Sequence, residues 1–425
     1  MTNKNLKIFK FGGASVRDAQ SIVNLSNILN SYQNDKLIVV ISAIDKTTRE
    51  LTKLTDLYFQ QADYTTQYNK IINKHANIIE ELFVDSSFIK AEFKKLLVGL
   101  KQKLASKPSS NYDFEYDQIV VYGELFSTKI IAAYLKQQGF NTEWVDIRHL
   151  MRTDTNYRNA RVDWQKSQEL LQTHLLHSNS KLIITQGFIA SNIQGLNTTL
   201  GIEGSDFSAA IIAYALDAEK MIVWKDVPGF YSSDPKIFEN VIKLDVVSFR
   251  EAVELAYFGA KIIHPKTIKP LQNKKIPLLV KSFLQPDAPG TIIKNSTDNK
   301  TGLQPNVPVF ITKNSQILIS IAPLDFSFID ENNLSYIFAL LARFRIKVNL
   351  MQNSAISFSI CVDNISEGFE RLLSELKHNY RVLYNKDLTL ITIRHYNQDI
   401  IDELITGRKV FVQQKSRRTA RFVVR

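Results

Sequence analysis

Lys10, Gly12 and Gly13 stand in the stretch Ile8-Phe9-Lys10-Phe11-Gly12-Gly13-Ala14-Ser15, at the end of a short apolar run that begins near Leu6. The run predicts a buried strand, the two glycines a turn, and Val16 to Leu29 a helix. Strand, glycine turn and helix start is an arrangement that aims backbone N–H groups at an anion. Glycine permits close approach of a phosphate that a Cβ would block, and Lys10 supplies a cation. No Gly-Lys-Ser/Thr follows at Walker spacing. Taken alone, a lysine before two glycines reads equally as a flexible strand-ending turn, so other loops must supply the argument for phosphate.

Several do. Lys36 to Ile44 is a second apolar run, with Ser42 near its end and Asp45, Lys46, Thr47 and Thr48 after it. A polar loop at the end of a buried strand is where open α/β sheets place ligands. Gly123 and Glu124 lead into a predicted helix over Thr128–Gln137, where an acid is also favoured by the helix dipole alone. Met151-Arg152-Thr153-Asp154 reads as a loop whose cation can meet a carboxylate. Lys181 to Ile189 is a strand reaching Gln186-Gly187-Phe188. Asn197 to Asp206 (NTTLGIEGSD) then combines hydroxyls, an amide, glycines and an acid. It fits a second phosphate loop or a metal-coupled loop, and Ser205 or Asp206 is a candidate cap for the apolar helix that follows. Lys225-Asp226-Val227-Pro228-Gly229-Phe230-Tyr231, with Asp234 and Lys236 beyond it, offers an aromatic ring, carboxylates and cations to a nucleotide. The same residues also suit a Pro-Gly turn with solvated charges. Lys261, beside Gly259, is a candidate phosphate ligand, whereas His264 before Pro265 reads as a packed, hydrogen-bonded histidine.

The elements that must position these residues alternate strand and helix to about Asn295, which predicts a mostly parallel sheet with helices on both faces, a three-layer αβα sandwich. Residues 62–107 carry apolar residues at helical spacing and no chemistry. Asn295 to Pro308 is the clearest linker. Beyond it the pattern becomes β-α-β-β-α-β, with separate strands at Arg381–Asn385 and Leu388–Arg394, then a shorter helix-and-strand unit. The predicted division is 1–295 catalytic, 296–308 linker and 309–425 regulatory.

Composition bounds the rest. At 425 residues, 44% hydrophobic and 10% aromatic, the chain supports two or three full cores. A single cysteine, Cys361, excludes an internal disulfide framework and a cysteine-based zinc site, which fits a reducing cytoplasm. No apolar run reaches the ~18–20 residues of a membrane span, and the first residues lack a signal-peptide pattern. The net charge of +11 reads as a lysine-rich solvated surface rather than a nucleic-acid footprint. Its densest part, Arg408 to Arg425 with seven Lys/Arg and no acid, reads as a basic edge strand that resists edge-to-edge pairing.

Eight pieces in order resemble the aspartokinases of the amino-acid kinase superfamily: Lys10-Phe11-Gly12-Gly13-x-Ser15; Ser42-Ala43 with Lys46-Thr47-Thr48; Gly123-Glu124-Leu125; Met151 to Asp154; Gln186-Gly187-Phe188; Thr198 to Gly201 with Gly204-Ser205-Asp206; Asp226 to Gly229 with Asp234-Pro235; and Phe258 to Lys261 with His264-Pro265. The C-terminal part resembles that family's paired ferredoxin-like ACT domains, one inserted in the other. The resemblance implies ATP-dependent phosphorylation of the β-carboxylate of L-aspartate to 4-phospho-L-aspartate, the entry to lysine, threonine and methionine. Magnesium would arrive with ATP, with no metal cage in the protein. It further implies that Lys10 and Asp206 are catalytic and that Ser42, Thr48 and Glu124 hold aspartate, with Glu124 meeting its ammonium. Lys10, Gly12, Gly13, Lys225, Asp226, Tyr231, Asp234, Lys236 and Lys261 would bind nucleotide. Asn349, Met351, Gln352, Asn353 and Ser354 would bind an amino-acid effector, threonine or lysine. A homodimer or larger homo-oligomer through the ACT domains is expected, with no nucleic acid or membrane partner. The chain departs from the family's pattern at Ala14, Asp45, Leu196 and Ile202, and Asn349 stands where lysine-sensing relatives have an acid. These departures motivate the alternative of a catalytically weak kinase-like amino-acid sensor or interaction protein.

Overall fold

The computed structural model describes residues 3–233, 238, 241–260, 262–295, 307–325, 327–364 and 366–425. Two compact units share the chain. The first holds Met1–Phe230, Leu244–Val253 and Lys261–Leu303, and the second Tyr231–Lys243, Glu254–Ala260 and Gln304–Arg425.

The first unit opens with β1 (Asn3–Phe11), α1 (Ala19–Asn30) and β2 (Lys36–Ile41). Five helices follow: α2 (Thr47–Phe59), α3 (Thr65–Leu82), α4 (Ser87–Ala105), α5 (Tyr112–Val120) and α6 (Tyr122–Gln137). Next come β3 (Thr142–Trp144), β4 (Arg152–Thr153), α7 (Trp164–Leu171), β5 (Leu182–Gln186), β6 (Ile189–Asn192), β7 (Asn197–Thr199), α8 (Gly204–Ala215) and β8 (Ala218–Lys225). The short pair β9 (Phe230–Tyr231) and β10 (Lys243–Leu244) follows, then β11 (Val246–Ser248), α9 (Phe249–Phe258), α10 (Pro265–Lys274), β12 (Leu278–Ser282) and β13 (Thr291–Lys294); β9, β10 and α9 each have residues in both units. The main sheet has the order β11-β13-β12-β8-β1-β2-β5-β3. Only the β12–β13 pairing is antiparallel.

The central strand is β1, and it is apolar on both faces because both are covered. Phe9 and Phe11 point into a core with Leu25, Leu29, Leu51, Ile71 and Phe126 from the helices. Trp224 of β8 lies flat against Phe11, ring centroids 5.8 Å apart. Residues of α8 pack on the opposite side of β1. Register places Lys10 between Val40 and Val223, and Phe11 between Ile41 and Trp224. The C-terminal ends of β1, β2, β5 and β8 therefore finish at one edge of the sheet, which is where a doubly wound fold receives ligand.

The second unit contains β14 (Val309–Pro323), α11 (Glu331–Arg343), β15 (Val348–Asn353), β16 (Phe358–Asp363), α12 (Ser366–Leu376), β17 (Tyr380–Arg394), α13 (Gln398–Ile405), β18 (Val410–Lys415) and β19 (Thr419–Val424). They form one antiparallel sheet, ordered β15-β16-β14-β17-β19-β18. The two strands expected at Arg381–Asn385 and Leu388–Arg394 are a single strand, β17, which bends at Asp387 (φ 57°). β14 and β17 run through both halves of this sheet. Ile317, Ile319 and Ile321 of β14 pack against α11 and α12, whereas Ile391 and Ile393 of β17 pack against α13. The first half is thus inserted between the β14 and β17 segments of the second. β15 and β18 are the two edge strands, β18 with Lys409 just before it and Lys415 at its end.

Candidate active site

β1 ends in a turn held by the chain itself. The Ser15 N–H donates to the Gly12 carbonyl, and the Ser15 hydroxyl donates to the Trp224 carbonyl at 3.3 Å. Gly13 is required by its neighbour loop. A Cβ there would lie 2.7 Å from the Ala43 carbonyl oxygen and 2.8 Å from that of Asp45, and the Asp45 N–H bonds to the Gly13 carbonyl. The loops after β1 and β2 are therefore back to back. A Cβ on Gly12 would meet only the Lys10 ammonium, at an ordinary 3.5 Å. Of the two glycines, only Gly13 is demanded by the fold.

Lys10 is buried, and its Nζ lies 2.6 Å from Oδ1 of Asp206 in the first turn of α8. Lys225, the last residue of β8, reaches Oδ2 of the same carboxylate at 3.2 Å. Burial pushes the Asp206 carboxyl up. The charges and hydrogen bonds of the two lysines outweigh it and hold the group below the usual carboxylate range. Asp206 does not cap α8 as expected. The N-cap is Glu203, in a left-handed conformation with no side-chain cap bond. Two lysines brought by β1 and β8 override the local preference, leaving a cluster of two cations on one anion.

Glu124 faces the same cleft from the first turn of α6. This helix begins at Tyr122, six residues before the expected start. Glu124 is 2% exposed; its Oε1 accepts the Ala43 N–H at 3.4 Å, and its Oε2 is buried with no hydrogen-bond partner. Burial pushes the carboxyl up to about 8, against the opposing bonds from its own and the Ala43 N–H and the Lys10 charge. A buried carboxylate oxygen without a donor fits a cation supplied by a ligand. The Ser127 hydroxyl, one turn along α6, donates to the Ser42 carbonyl at 2.8 Å and ties the end of β2 to this helix.

A cleft of about 590 Å³ joins these groups. Lys10, Gly13, Ser42, Thr48, Glu124, Asp206 and Lys225 all line it, so seven of the anticipated residues meet in one place. Gly12 lies between two lining positions in the chain. Asp226 is exposed and Tyr231 half-exposed, and neither lines the cleft. Asp234, Lys236 and Lys261 lie outside the described residues. Arg152 does not take the expected role. Its Nη1 donates to the Ser191 hydroxyl and the Arg148 carbonyl, and it is not part of the cleft. Among the departures, Asp45 and Ile202 line the cleft and Leu196 does not; Ala14 is exposed and also outside the lining.

The cleft also contains Arg49, Tyr116 and Arg158, which sequence reasoning missed, and Phe188 and Thr199 from the loops it singled out. Asp45, Arg158, Phe188 and Glu203 are non-glycine residues with φ of 46°, 63°, 70° and 55°, and all four line it. Left-handed non-glycine backbone clusters at sites where geometry is over-determined. Arg49 was within reach of a reader, being adjacent to Thr48. Arg158 carried no signal, because its partners stand about forty positions away in the chain.

In the second unit, the anticipated effector residues divide. Asn349 is 5% exposed and its amide is fully engaged within the protein. Nδ2 donates to Gln316 at 2.8 Å and Asp363 at 2.9 Å, and Oδ1 accepts from Lys313 at 2.9 Å. Its side chain is a structural joint rather than an open ligand. Met351, Gln352, Asn353 and Ser354 are exposed, at and just beyond the end of edge strand β15.

A mostly parallel sheet with a lysine–carboxylate–lysine cluster at its C-terminal edge defines a phosphoryl-handling protein of the amino acid kinase type, and the Amino acid kinase family model matches residues 5–282. Lysine-sensitive aspartokinase 3 of Escherichia coli (strain K12) is 32% identical over 95% of this chain and 90% of its own length. The E. coli aspartokinase III structure in complex with aspartate and ADP (R-state) superposes with a TM-score of 0.81 at 28% identity, covering 99% of this chain and 96% of that one. The complex of the same enzyme with lysine and aspartate (T-state) gives a TM-score of 0.84 at the same identity and coverage. The chain belongs to the aspartokinases of the amino acid kinase family.

Proposed function

We propose that the protein transfers the γ-phosphoryl group of MgATP to the β-carboxylate of L-aspartate, releasing ADP and 4-phospho-L-aspartate. The observation that carries this reading is the cleft in which the Lys10–Asp206–Lys225 cluster stands with a buried, partnerless Glu124 oxygen. The lysines suit a phosphoryl group and the Glu124 oxygen an ammonium. A relative similar over nearly the whole chain is known in complex with aspartate and ADP.

Phosphoryl transfer asks a protein for positioning and charge neutralisation. A β-carboxylate oxygen bonds to the γ-phosphorus as the bond to the ADP oxygen breaks. Lys10 neutralises charge on the transferring group, and Asp206 holds Lys10 in place. Gly12 and Gly13 present backbone N–H groups to it, in the manner of an oxyanion hole. Glu124, ionised, takes the aspartate ammonium, with Ser42 and Thr48 beside it. Lys225, Asp226, Tyr231, Asp234, Lys236 and Lys261 serve the nucleotide.

Among the described residues no group of three or more His, Cys, Asp or Glu is placed to hold a metal. Both Asp206 oxygens already face ammonium groups. Magnesium in this reading is held by the nucleotide's phosphates, as is usual for this ion, and supplies charge neutralisation there. We assign catalysis to residues 1–295 and regulation to 309–425. The effector is an amino acid, threonine or lysine, met by the exposed Met351 to Ser354, and the oligomer forms through the antiparallel sheet. Aspartate-dependent ADP release by purified protein, with glutamate as the control acceptor, tests the reading. Release with glutamate but not aspartate sinks it.

A further inference from the structure

An α-amino acid presents an ammonium and a carboxylate on one carbon, so a site that takes it needs an anion and a cation close together. Glu124 is the anion. The cations lining the cleft, among the described residues, are Lys10, Lys225, Arg49 and Arg158. Asp206 holds the first two, at 2.6 and 3.2 Å. Arg49 is an exposed residue near the start of α2.

Arg158 is built in. Its Nη1 donates to Asp113 at 3.0 Å, and its guanidinium lies over the rings of Tyr116 and Tyr112, 4.6 and 5.6 Å from their centroids. Its backbone N–H donates to Asp117 at 3.0 Å. The same carboxylate accepts the N–H and hydroxyl of Thr199, which also lines the cleft, at 2.9 and 2.8 Å. The Ala160 N–H closes the lattice on the Thr199 carbonyl. The left-handed backbone at this position is one that glycine adopts without strain. The chain places a guanidinium there instead. Tyr116 lines the cleft with both charges, and its phenol, raised chiefly by burial, is also pushed down by Arg158 and up by Glu124. A rigid, planar, pre-stacked fork loses less freedom on binding a carboxylate than an exposed arginine does.

We infer that Arg158, held by Asp113, Asp117 and Tyr116, receives the α-carboxylate of the amino-acid substrate whose ammonium meets Glu124. The inference rests on the proposed substrate, and it makes Arg158 the residue that separates an α-amino acid from its α-amide. Expected retention of the Asp113 bond leaves the other guanidinium edge for the ligand.

The test is calorimetric binding of aspartate and of its α-amide to the full chain, with magnesium and a non-hydrolysable ATP analogue, in the wild type, R158A, R158K and R49A. Turnover is measured in parallel, and thermal melts check folding. The wild type binds aspartate at least about tenfold more tightly than the amide. R158A weakens aspartate by about 10- to 100-fold, the worth of a charge-assisted bond, and leaves the amide within about threefold; R158K recovers part of the loss. The inference is overturned if R158A weakens both ligands alike, if the wild type shows no preference, or if R49A erases the preference and R158A does not. Lost preference in R158A alongside a wild type that fails to phosphorylate aspartate supports the binding role while refuting the catalytic reading. Turnover of aspartate with the preference intact in R158A refutes only the inference.

Discussion

With Glu124 proposed as the partner of the aspartate ammonium, aspartate binding is expected to depend on pH near neutrality. The Glu124 carboxyl is pushed up to about 8 by burial, so at pH 7 about one molecule in ten carries the charge that an ammonium needs, and at pH 6 about one in a hundred. Binding must supply the missing ionisation. KM for aspartate then falls about tenfold from pH 6 to 7 and about fivefold from 7 to 8, while KM for ATP does not follow it. Calorimetry in buffers of different ionisation enthalpy registers nearly one proton released per aspartate bound at pH 7. The stability of the free protein runs the other way. The folded-state value lies above the ordinary 4.5, so the fold holds this proton more tightly than the unfolded chain. The contribution is full below about 4.5 and is lost as pH rises to about 8, with a ceiling of roughly 5 kcal/mol. E124Q keeps the shape and cannot ionise. It removes the slope of KM and the slope of stability together, and leaves aspartate binding weak at every pH. A KM for aspartate that stays flat from pH 6 to 8 in the wild type refutes the reasoning.

Three further perturbations separate fold from chemistry. D206N leaves Lys10 and Lys225 facing a neutral amide; kcat falls at least about 100-fold and denaturant unfolding shows a loss of about 3 kcal/mol, and unchanged kcat contradicts the assignment. G13A drives a Cβ into two carbonyl oxygens and lowers stability by about 1–3 kcal/mol, whereas G12A melts like the wild type and loses activity; equal melting of the two variants contradicts the packing argument. N349A strands Gln316, Lys313 and Asp363 in the second unit and costs about 2–3 kcal/mol by chemical denaturation, and it leaves KM for aspartate in effector-free protein unchanged.

The strands that carry the site were legible because buried parallel strands read as mostly apolar runs, as in Leu37–Ile41 of β2, Leu182–Ile184 of β5 and Met221–Trp224 of β8, and in β1 despite Lys7 and Lys10. The loops at their ends were legible from Gly, Ser, Thr and Asp at the right places. Where reading failed, tertiary partners decided. Asp206 looked like a cap, and two lysines from distant strands claimed it. The start of α6 was hidden because Ile119 to Tyr122 are residues at home in strands as well, and no side chain caps the helix. Arg152 looked like the free cation of its loop, yet Ser191 and the Arg148 carbonyl hold it, and Arg158, six residues on, lines the cleft. Asn349 looked like a ligand because nothing local shows that Lys313, Gln316 and Asp363 converge on it.

Phosphoryl transfer to aspartate is tested most directly by hydroxylamine trapping of the product formed from purified protein, MgATP and L-aspartate, with K10A beside it. The wild type is expected to yield aspartyl β-hydroxamate in step with ADP, and K10A none above background. Wild-type protein that yields no β-hydroxamate at saturating aspartate, or a K10A variant that yields as much as the wild type, contradicts this expectation.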